Sequence, residues 1–354
     1  MIRCRRCLMP NTRPDTAFLD GVCSACLFHD YQQEINWDHR KSDLLRLLER
    51  QKPNGTGFDC IVASSGGKDS HAQVLSLLEL GVRPLIVTAT TCMLTDLGRK
   101  NIDNLKRYAP TIEVTPNQDV RAKLNYLGLT LVGDVSWPEH VAIFTTPIRV
   151  AVALGIPLVF YGENPQAQYG GPVGSEQACQ MTRRWVSEFG GFLGLRPVDV
   201  VGQSGITAQN MKEYEFPTTA QIKRAGCEAH FLGQYLGPWD SHYNAERAIA
   251  AGMAWEAPVD GAWWPWENLD NAMTGLHDWM MYKKYGYGRA CAQISVDIRF
   301  GRINRVSAEI LLANRENRFP FTYAGVRIEE VLKRLGLESK NELDVIINKF
   351  TVEY

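Results

Sequence analysis

The sequence of 354 residues lacks several features that would place the protein in a specialised class. Its formal net charge is −1, so no overall basic field attracts it to nucleic acid or to an anionic membrane. No run is apolar enough to span a bilayer, and the stretch 142–158 is interrupted by Pro147 and Arg149. The N-terminus lacks the apolar core of a signal peptide. We therefore expect a cytoplasmic protein with no membrane partner.

The chain also lacks internal repeats and low-complexity tracts. Hydrophobic residues make up 45% and charged residues 22%, which is ordinary for a globular protein long enough for two or three domains. Nine cysteines are present, an odd number. In a reducing compartment, cysteines are more often metal ligands or core thiols than partners in disulfides.

Four of these cysteines form two C-x-x-C pairs, Cys4 with Cys7 and Cys23 with Cys26. This spacing is typical of a zinc ribbon, in which four thiolates close a tetrahedral site. So short a segment has almost no core of its own, so the metal would supply most of its folding free energy. We predict a structural Zn²⁺ site in a module spanning residues 1–40, with an iron–sulfur cluster as the alternative.

The most informative motif is a loop between an apolar strand and a helix, which reads Ser64-Ser65-Gly66-Gly67-Lys68-Asp69-Ser70. Its glycines let the backbone turn sharply, and the amides at the start of a helix favour an anion. Lys68 adds a positive charge, Ser65 and Ser70 add hydroxyl donors, and Asp69 can hold a Mg²⁺ that a polyphosphate also binds. The spacing is not that of a Walker A motif. We predict a polyphosphate site with Lys68 and Asp69 as catalytic residues, and an ordinary Gly-rich turn is the alternative.

Strands and helices alternate as far as residue 165, which predicts an α/β fold with a doubly wound parallel sheet. In such a sheet ligands bind at the carboxyl ends of the strands. Two strand ends converge on the loop, and the first, Thr88-Ala89-Thr90, is expected to line an adenine and ribose pocket. The second is Gly162-Glu163-Asn164. There Gly162 is a candidate for binding ATP and Glu163 is a candidate catalytic residue that assists with metal or substrate, with a solvated loop carboxylate as the alternative for Glu163.

The character of the chain changes after residue 165, where glycine and aromatic residues become dense and strand-like alternation is scarce. We predict an ATP-binding domain over 41–165 and a mainly helical, substrate-binding region over 166–354. Helices are expected in that region at 172–188, 242–254, 269–285, 307–317 and 327–335.

Candidate substrate ligands cluster around the predicted helix 269–285 and the turn after it. The set comprises Asn164, Asp240, His277, Tyr282, Lys284, Tyr285 and Arg289. A rim of tyrosine, lysine and arginine suits a diphosphate and sugar hydroxyls, because arginine offers a planar fork and tyrosine stacks on rings. The alternative is an amphipathic helix with tyrosines in the core and lysines in solvent. Arg299, Arg302 and Arg305, spaced by three, are weaker candidates for one phosphate-binding helix face.

Taken in chain order, the cysteine module, the Ser-Gly-Gly-Lys-Asp-Ser loop, Tyr161-Gly-Glu-Asn164 and Lys284-Tyr-Gly-Tyr-Gly-Arg289 resemble one family. These are the N-acetyl sugar amidotransferases of bacterial lipopolysaccharide O-antigen and flagellar-glycan biosynthesis. They belong to the PP-loop ATP pyrophosphatase superfamily, whose fold is of the adenine nucleotide alpha hydrolase-like type. The resemblance implies ATP, Mg²⁺ and Zn²⁺ as cofactors. It also implies a ligase that converts an acetamido group of a UDP-diacetamido uronic acid type of sugar into an acetamidino group, giving AMP and pyrophosphate.

The nitrogen donor is not evident in this chain, because position 2 is not a cysteine and no cysteine lies in a nucleophile-elbow context. We therefore predict no glutaminase activity here. The resemblance implies a separate glutaminase subunit like that of imidazole glycerol phosphate synthase, with a cyclase-like barrel subunit as a conduit for ammonia. Direct use of free ammonium is the alternative.

A second class, the tRNA thiolation enzymes, also combines zinc-binding cysteine pairs with a Ser-Gly-Gly-Lys-Asp-Ser loop. Those enzymes typically need further paired cysteines near the active site. Here the remaining cysteines are isolated in sequence, and the near-neutral charge argues against a nucleic-acid partner. We predict sugar amidination, with tRNA thiolation as the alternative. A non-enzymatic zinc-ribbon adaptor is disfavoured because Ser65, Asp69 and Ser70 are intact.

Overall fold

The computed structural model describes residues 1–51 and 57–353. Its strands are β1 (Phe18–Leu19), β2 (Val22–Cys23), β3 (Cys60–Ala63), β4 (Pro84–Ala89), β5 (Thr111–Val114), β6 (Leu158–Tyr161), β7 (Glu228–Phe231), β8 (Thr322–Tyr323) and β9 (Val326–Arg327). Its first helices are α1 (Ser24–Tyr31), α2 (Trp37–Arg50), α3 (Lys68–Glu79), α4 (Asp96–Leu105), α5 (Gln118–Val132), α6 (Trp137–Leu154), α7 (Pro165–Tyr169) and α8 (Arg183–Phe189). The later helices are α9 (Ala208–Met211), α10 (Thr219–Ala225), α11 (Ser241–Ala250), α12 (Thr274–Tyr285), α13 (Arg289–Arg299), α14 (Arg305–Ala313), α15 (Ile328–Leu335) and α16 (Lys340–Asn348).

The central sheet has five strands in the order β5-β4-β3-β6-β7, and every pairing in it is parallel. From β3 the chain runs outward through β4 to β5, then returns through α5 and α6 to place β6 on the other side of β3. The strand order therefore reverses between β3 and β6, which is where doubly wound folds bind ligands. The predicted α/β class and parallel sheet are confirmed.

Both faces of the sheet are covered, because neighbouring residues of a strand point to opposite sides. On β3, Ile61 packs in a cluster with Ile148 of α6, whereas Val62 packs in another cluster with Val74 and Leu77 of α3. This two-sided burial explains why the strands read as continuous apolar runs rather than as alternating patterns.

Two additional packing units position the remainder of the chain. The cysteine-containing N-terminal segment packs on α13, where Leu8 and Met9 share a buried cluster with Tyr287 and Ile294. The C-terminal helices α12, α15 and α16 pack with Leu129 of α5. Among the described residues, no helix has both the length and the apolar character needed to cross a membrane.

One expectation about secondary structure was wrong, and two elements were not predicted. The helix expected at 172–188 is a 3-10 turn at Ser175–Gln177 followed by α8, because Gly174 before the turn has a φ of +87° and Ala178 and Thr182 after it adopt extended backbone angles. The strand β7 was not expected, since Glu-Ala-His-Phe is too short to show a period, yet it extends the sheet beyond β6. The helix α13 was also missed, and it begins directly after the extended residue Gly288.

Candidate active site and four-cysteine centre

The four N-terminal cysteines converge on one point. Cys7 and Cys23 have their Sγ atoms 3.6 Å apart, and Cys4 and Cys26 have theirs 3.9 Å apart. All four are buried, and their sulfur atoms lie within 4.8 Å of one another. Four thiolates about 2.3 Å from one tetrahedral zinc ion would lie about 3.8 Å apart. The donor set therefore fits a single closed zinc site better than a cluster whose thiolates bind different irons.

The arginine triad does not form the phosphate-binding face that its spacing suggested. Arg299 ends α13 with its Nη1 3.7 Å from Cys7 Sγ, and Arg305 begins α14 and donates to the carbonyls of Cys4 and Cys7. Arg302 lies between the two helices and pairs with Asp240. Two of the three arginines therefore belong to the cysteine centre, where their charge favours thiolates.

The predicted polyphosphate loop joins β3 to α3 at the reversal point of the sheet. Two hydroxyls hold its shape: Ser70 Oγ accepts from the Ser65 amide at 3.1 Å, and Ser64 Oγ accepts from the Gly66 amide at 3.1 Å. Gly67 precedes α3 without a side-chain cap. The first-turn amides of α3 thus have no partner within their helix, and their residues form part of a cavity wall. This donor arrangement fits an anion.

Lys68 is the centre of a buried ionic network. Its Nζ lies 2.5 Å from Asp69 Oδ2 and 2.5 Å from Glu267 Oε1. Burial by itself would lower the pKa of Lys68, but the two carboxylates outweigh it and hold that pKa well above its ordinary value. The other oxygen of Asp69 accepts from Trp239 Nε1 at 3.1 Å and from Asn244 Nδ2 at 2.9 Å. Lys68 is therefore a fixed cation beside the loop.

Glu163 follows β6 and faces the same space as the loop. Burial and the neighbouring Asp69 carboxylate raise the pKa of Glu163 to about 7, although Lys68 acts in the opposite direction. The carboxylates of Glu163 and Asp69, which both lie beside the loop, thus have different electrostatic environments. A bound divalent cation would favour ionised Glu163, and carboxylate oxygens are the ligands that Mg²⁺ prefers.

A cavity of about 370 Å³ connects these groups and is in the size range of small-molecule sites. One wall consists of the loop and the ends of the strands, including Ala63, Ala89 and Tyr161. The opposite wall comes from the C-terminal region. It is formed by Trp266, Glu267, Asn268, Leu269, Asp270, Asn271, Thr274, His277 and Arg289.

The structure brings part of the predicted residue set to this cavity. The residues that line it are Ser64, Ser65, Gly66, Gly67, Lys68, Asp69, Ser70, Ala89, Gly162, Glu163, His277 and Arg289. The residues outside its lining are Thr88, Thr90, Asn164, Asp240, Tyr282, Lys284 and Tyr285.

The predicted residues outside the cavity make contacts of other kinds. Thr90 Oγ1 donates to the Val114 carbonyl of the adjacent strand at 3.2 Å. Asn164 and Asp240 accept from backbone amides at the starts of α7 and α11. Lys284 Nζ donates to the Val132 carbonyl at 2.6 Å.

Both tyrosines of the predicted substrate helix lie away from the loop. Tyr285 packs beside the cysteine-containing cluster, and Tyr282 lines a small separate pocket. Arg289 behaves differently because Gly286 ends α12 and lets the chain return. Its guanidinium then donates to both oxygens of Asp278, at 2.7 and 2.8 Å. The helix 274–285 therefore contributes His277 to the cavity, with Arg289 held beside it.

Several residues of the site were missed in the sequence. Glu267 and Asn244 contribute to the network around Lys68 and Asp69, yet neither lies in a motif. Asp134 and His140, near His277, were also missed. The dense aromatic run around Trp266 was the one signal near Glu267 that composition offered.

Comparison with known families assigns part of the chain. Residues 261–354 match the model of a family described as "LPS biosynthesis protein WbpG-like, C-terminal domain". The match covers the cavity wall opposite the loop, including Glu267, His277 and Arg289. No curated protein matches the chain. The matched segment is thus similar to a domain of lipopolysaccharide-biosynthesis proteins, which agrees with the pathway that the family resemblance of the sequence motifs implied.

Proposed function

We propose that this protein is an ATP-dependent amidotransferase that converts an acetamido group of a nucleotide-activated sugar into an acetamidino group. The observation that carries the proposal is the cavity itself. One wall is an anion-binding loop with a buried lysine, and the other wall belongs to the segment related to lipopolysaccharide biosynthesis. The sugar is proposed to be of the UDP-diacetamido uronic acid type.

The proposed reaction begins by activating an amide, whose carbonyl is a poor electrophile. The amide oxygen attacks the α-phosphorus of ATP, and the bond between the α- and β-phosphates breaks to release pyrophosphate. Lys68 and the first-turn amides of α3 would stabilise the charge that develops on the departing pyrophosphate. A Mg²⁺ held by Asp69 and Glu163 would neutralise part of the phosphate charge.

Nitrogen then replaces oxygen at the activated carbon. Ammonia attacks the O-adenylyl imidate, the carbon–oxygen bond breaks, AMP leaves with the former carbonyl oxygen, and loss of protons gives the amidine. Enclosure by residues 266–271 would limit attack by water. We propose that ammonia comes from a separate glutaminase subunit, with a barrel subunit of the cyclase type as its conduit.

The alternative of tRNA thiolation has less support from the site. Among the described residues that line the cavity there is no cysteine to relay sulfur. Cys92 is the free thiol nearest in sequence to the end of β4, and its Sγ accepts from Arg334 Nε at 3.3 Å. The chain's net charge of −1 offers no general attraction for RNA.

The decisive experiment is a pyrophosphate-release assay with Mg-ATP and high ammonium. A UDP-linked diacetamido sugar acid and bulk tRNA with a sulfur donor are offered separately. We expect AMP and pyrophosphate with the sugar only, and a product about one mass unit lighter, because an imino NH replaces an oxygen. Turnover with tRNA alone would assign the protein to thiolation. Absence of turnover with the sugar would overturn the proposal.

Replacing Gly66 with alanine should impair both the stability of the protein and its binding of ATP. The backbone angle explains the first effect but not the second. Gly66 has a φ of +87°, and an added Cβ would lie 2.8 Å from Ile102 Cγ1. Gly81, after the other end of α3, has a φ of +73°, but an added Cβ there would have no atom of the described residues within 4 Å apart from its chain neighbours. Both variants should lose about 1–2 kcal/mol from the left-handed backbone.

Only Gly66→Ala should also raise the KM for ATP, by about tenfold or more, because the shift of the loop misplaces donors to phosphate. Urea unfolding and pyrophosphate release measure the two effects. Equal KM values for Gly66→Ala and Gly81→Ala would contradict a phosphate-binding role for the loop.

The raised pKa of Glu163 predicts a specific pH dependence of stability. Its pKa is about 7 in the folded protein against an ordinary 4.5, so folding favours the protonated acid. That contribution is complete below about pH 4.5 and disappears as the pH rises through 7. Relative to Glu163→Gln, the wild-type protein should therefore lose stability between pH 5 and 8, by at most about 1.4 kcal/mol per pH unit.

Glu113→Gln provides the control, because the pKa of Glu113 is shifted in the opposite direction to that of Glu163. Arg99, followed by Lys106, lowers the pKa of Glu113, so its contribution changes only at acidic pH. The stability gap between wild type and Glu113→Gln should stay constant from pH 5 to 8. Urea unfolding across this range tests both expectations. A constant gap for Glu163→Gln as well would show that Glu163 ionises normally.

A further inference from the structure

The end of the cavity away from the loop holds a second group of potential metal ligands, which the proposed reaction does not use. Asp134 lies between α5 and α6, His140 belongs to α6, and His277 belongs to α12. One donor atom from each lies within 4.8 Å of the others. His140 and His277 line the cavity, and Asp134 is buried behind them.

The distances in this group fit ligands of a shared ion. Asp134 Oδ2 lies 3.0 Å from His140 Nδ1, and Asp134 Oδ1 lies 3.8 Å from His277 Nε2. Nitrogen and oxygen ligands about 2.0–2.2 Å from one ion lie about 3.0–3.6 Å apart at angles of 90–110°. The first distance lies within that range, and the second exceeds it by about 0.2 Å.

The hydrogen bonds around the group leave the two nitrogens available. His140 Nδ1 is buried without a hydrogen-bond partner among the described residues, although a carboxylate oxygen lies nearby. The other nitrogen of the second histidine, His277 Nδ1, lies 2.8 Å from Asp278 Oδ1. A carboxylate on Nδ1 places the proton there and leaves the lone pair of Nε2 toward Asp134, as in carboxylate–histidine–metal arrangements.

The charged side chains around the group are also paired or hydrogen-bonded. Arg289 also lines the cavity, and its guanidinium pairs with both oxygens of Asp278. Asp134 accepts one backbone hydrogen bond, from the Ser136 amide at 2.8 Å, and that bond holds its carboxylate in place. Two imidazole nitrogens and one carboxylate oxygen form a donor set that suits a divalent transition metal.

We propose that Asp134, His140 and His277 bind a divalent transition-metal ion, of the Zn²⁺ or Fe²⁺ type, with open coordination positions facing the cavity. Three protein ligands leave such positions for an oxygen of the bound molecule, as in catalytic rather than structural sites. The site would connect the sheet domain to the C-terminal segment, because α6 and α12 each supply a histidine. It stands independently of the adenylylation chemistry.

Cobalt(II) titration of metal-free protein tests the proposal on the unmodified chain. Cobalt in the cysteine centre gives an intense thiolate-to-metal charge-transfer band, whereas a histidine and carboxylate site gives only weak visible bands. We expect two equivalents of cobalt, one of each kind. A single equivalent, with the thiolate band alone, would overturn the proposal and leave an ordinary Asp–His ion pair.

Variants locate the second equivalent. His277→Gln and Asp134→Asn should each lose the weak bands and one equivalent while keeping the thiolate band. That band also reports that the cysteine module of the variant is intact. His242→Gln is the matched control, because His242 forms another His–Asp pair, 2.8 Å from Asp297, and should keep both equivalents. Retention of both equivalents in His277→Gln and Asp134→Asn would contradict this assignment.

Discussion

The Lys68→Met variant should lose about 10²–10³-fold in pyrophosphate release, the usual result of removing a fixed charge that stabilises a transition state. It should also be less stable by about 3–5 kcal/mol. The second effect arises because Asp69 and Glu267 both lie 2.5 Å from Lys68 Nζ and would be left unneutralised in a buried site.

The double variant Lys68→Met/Glu267→Gln separates these two effects. Removing one carboxylate should restore a large part of the stability, since fewer buried charges are unpaired, but it cannot restore the cation that faces phosphate. Turnover should stay at the level of the single variant. Urea unfolding and the pyrophosphate assay provide the two measurements.

The control is Lys106→Met. Lys106 pairs with Asp103 and Glu113 on the surface, so its loss should change stability by less than about 1 kcal/mol and leave turnover intact. If Lys68→Met kept more than a tenth of wild-type turnover, the lysine of the loop could not be acting on the phosphates.

The Cys23→Ser variant should lose one equivalent of zinc and release the N-terminal segment from α13. Its Sγ lies 3.6 Å from that of Cys7, and both cysteines belong to the buried cluster that joins the module to α13. Binding of structural zinc supplies about 10–16 kcal/mol in zinc-finger peptides, so the loss of one ligand removes most of the folding free energy of such a module.

The sheet should survive this substitution, because its clusters do not include the module. Elemental analysis should show the lost zinc, and limited proteolysis should cleave within residues 1–31 of Cys23→Ser but not of the wild-type protein. Cys179→Ser, a half-buried thiol away from the centre, should retain the metal. Unchanged zinc content in Cys23→Ser would refute a four-thiolate site.

The parts of the site that could be predicted are those encoded within a few consecutive residues. The loop 64–70 contains its own turn, donors and charges, and the apolar strand before it defines its place in a parallel sheet. Glu163 could be predicted in the same way, because it lies in the residues that directly follow β6. The cysteine centre needed only two local pairs, because each pair brings its own turn.

The parts that could not be predicted depend on packing between distant segments. Glu267 reaches Lys68 from 199 positions away, and no periodicity records that distance. The prediction of which side chains of α12 face the cavity failed for a related reason. Both sides of that helix are covered, with Met280 in one cluster and Tyr285 beside another, so composition could not show that His277 faces the cavity.

The packing of the cysteine module on α13 also has a consequence for biosynthesis of the chain. The Leu8 amide donates to Ser295 Oγ, a partner 287 positions later. At about 5–20 residues per second, a ribosome needs roughly 15–60 s to travel between them. During that interval the apolar residues of the later chain do not yet cover the four thiols. The thiols are therefore accessible to metal and to oxidants. We therefore expect the supply of metal during translation to affect how much of the chain matures.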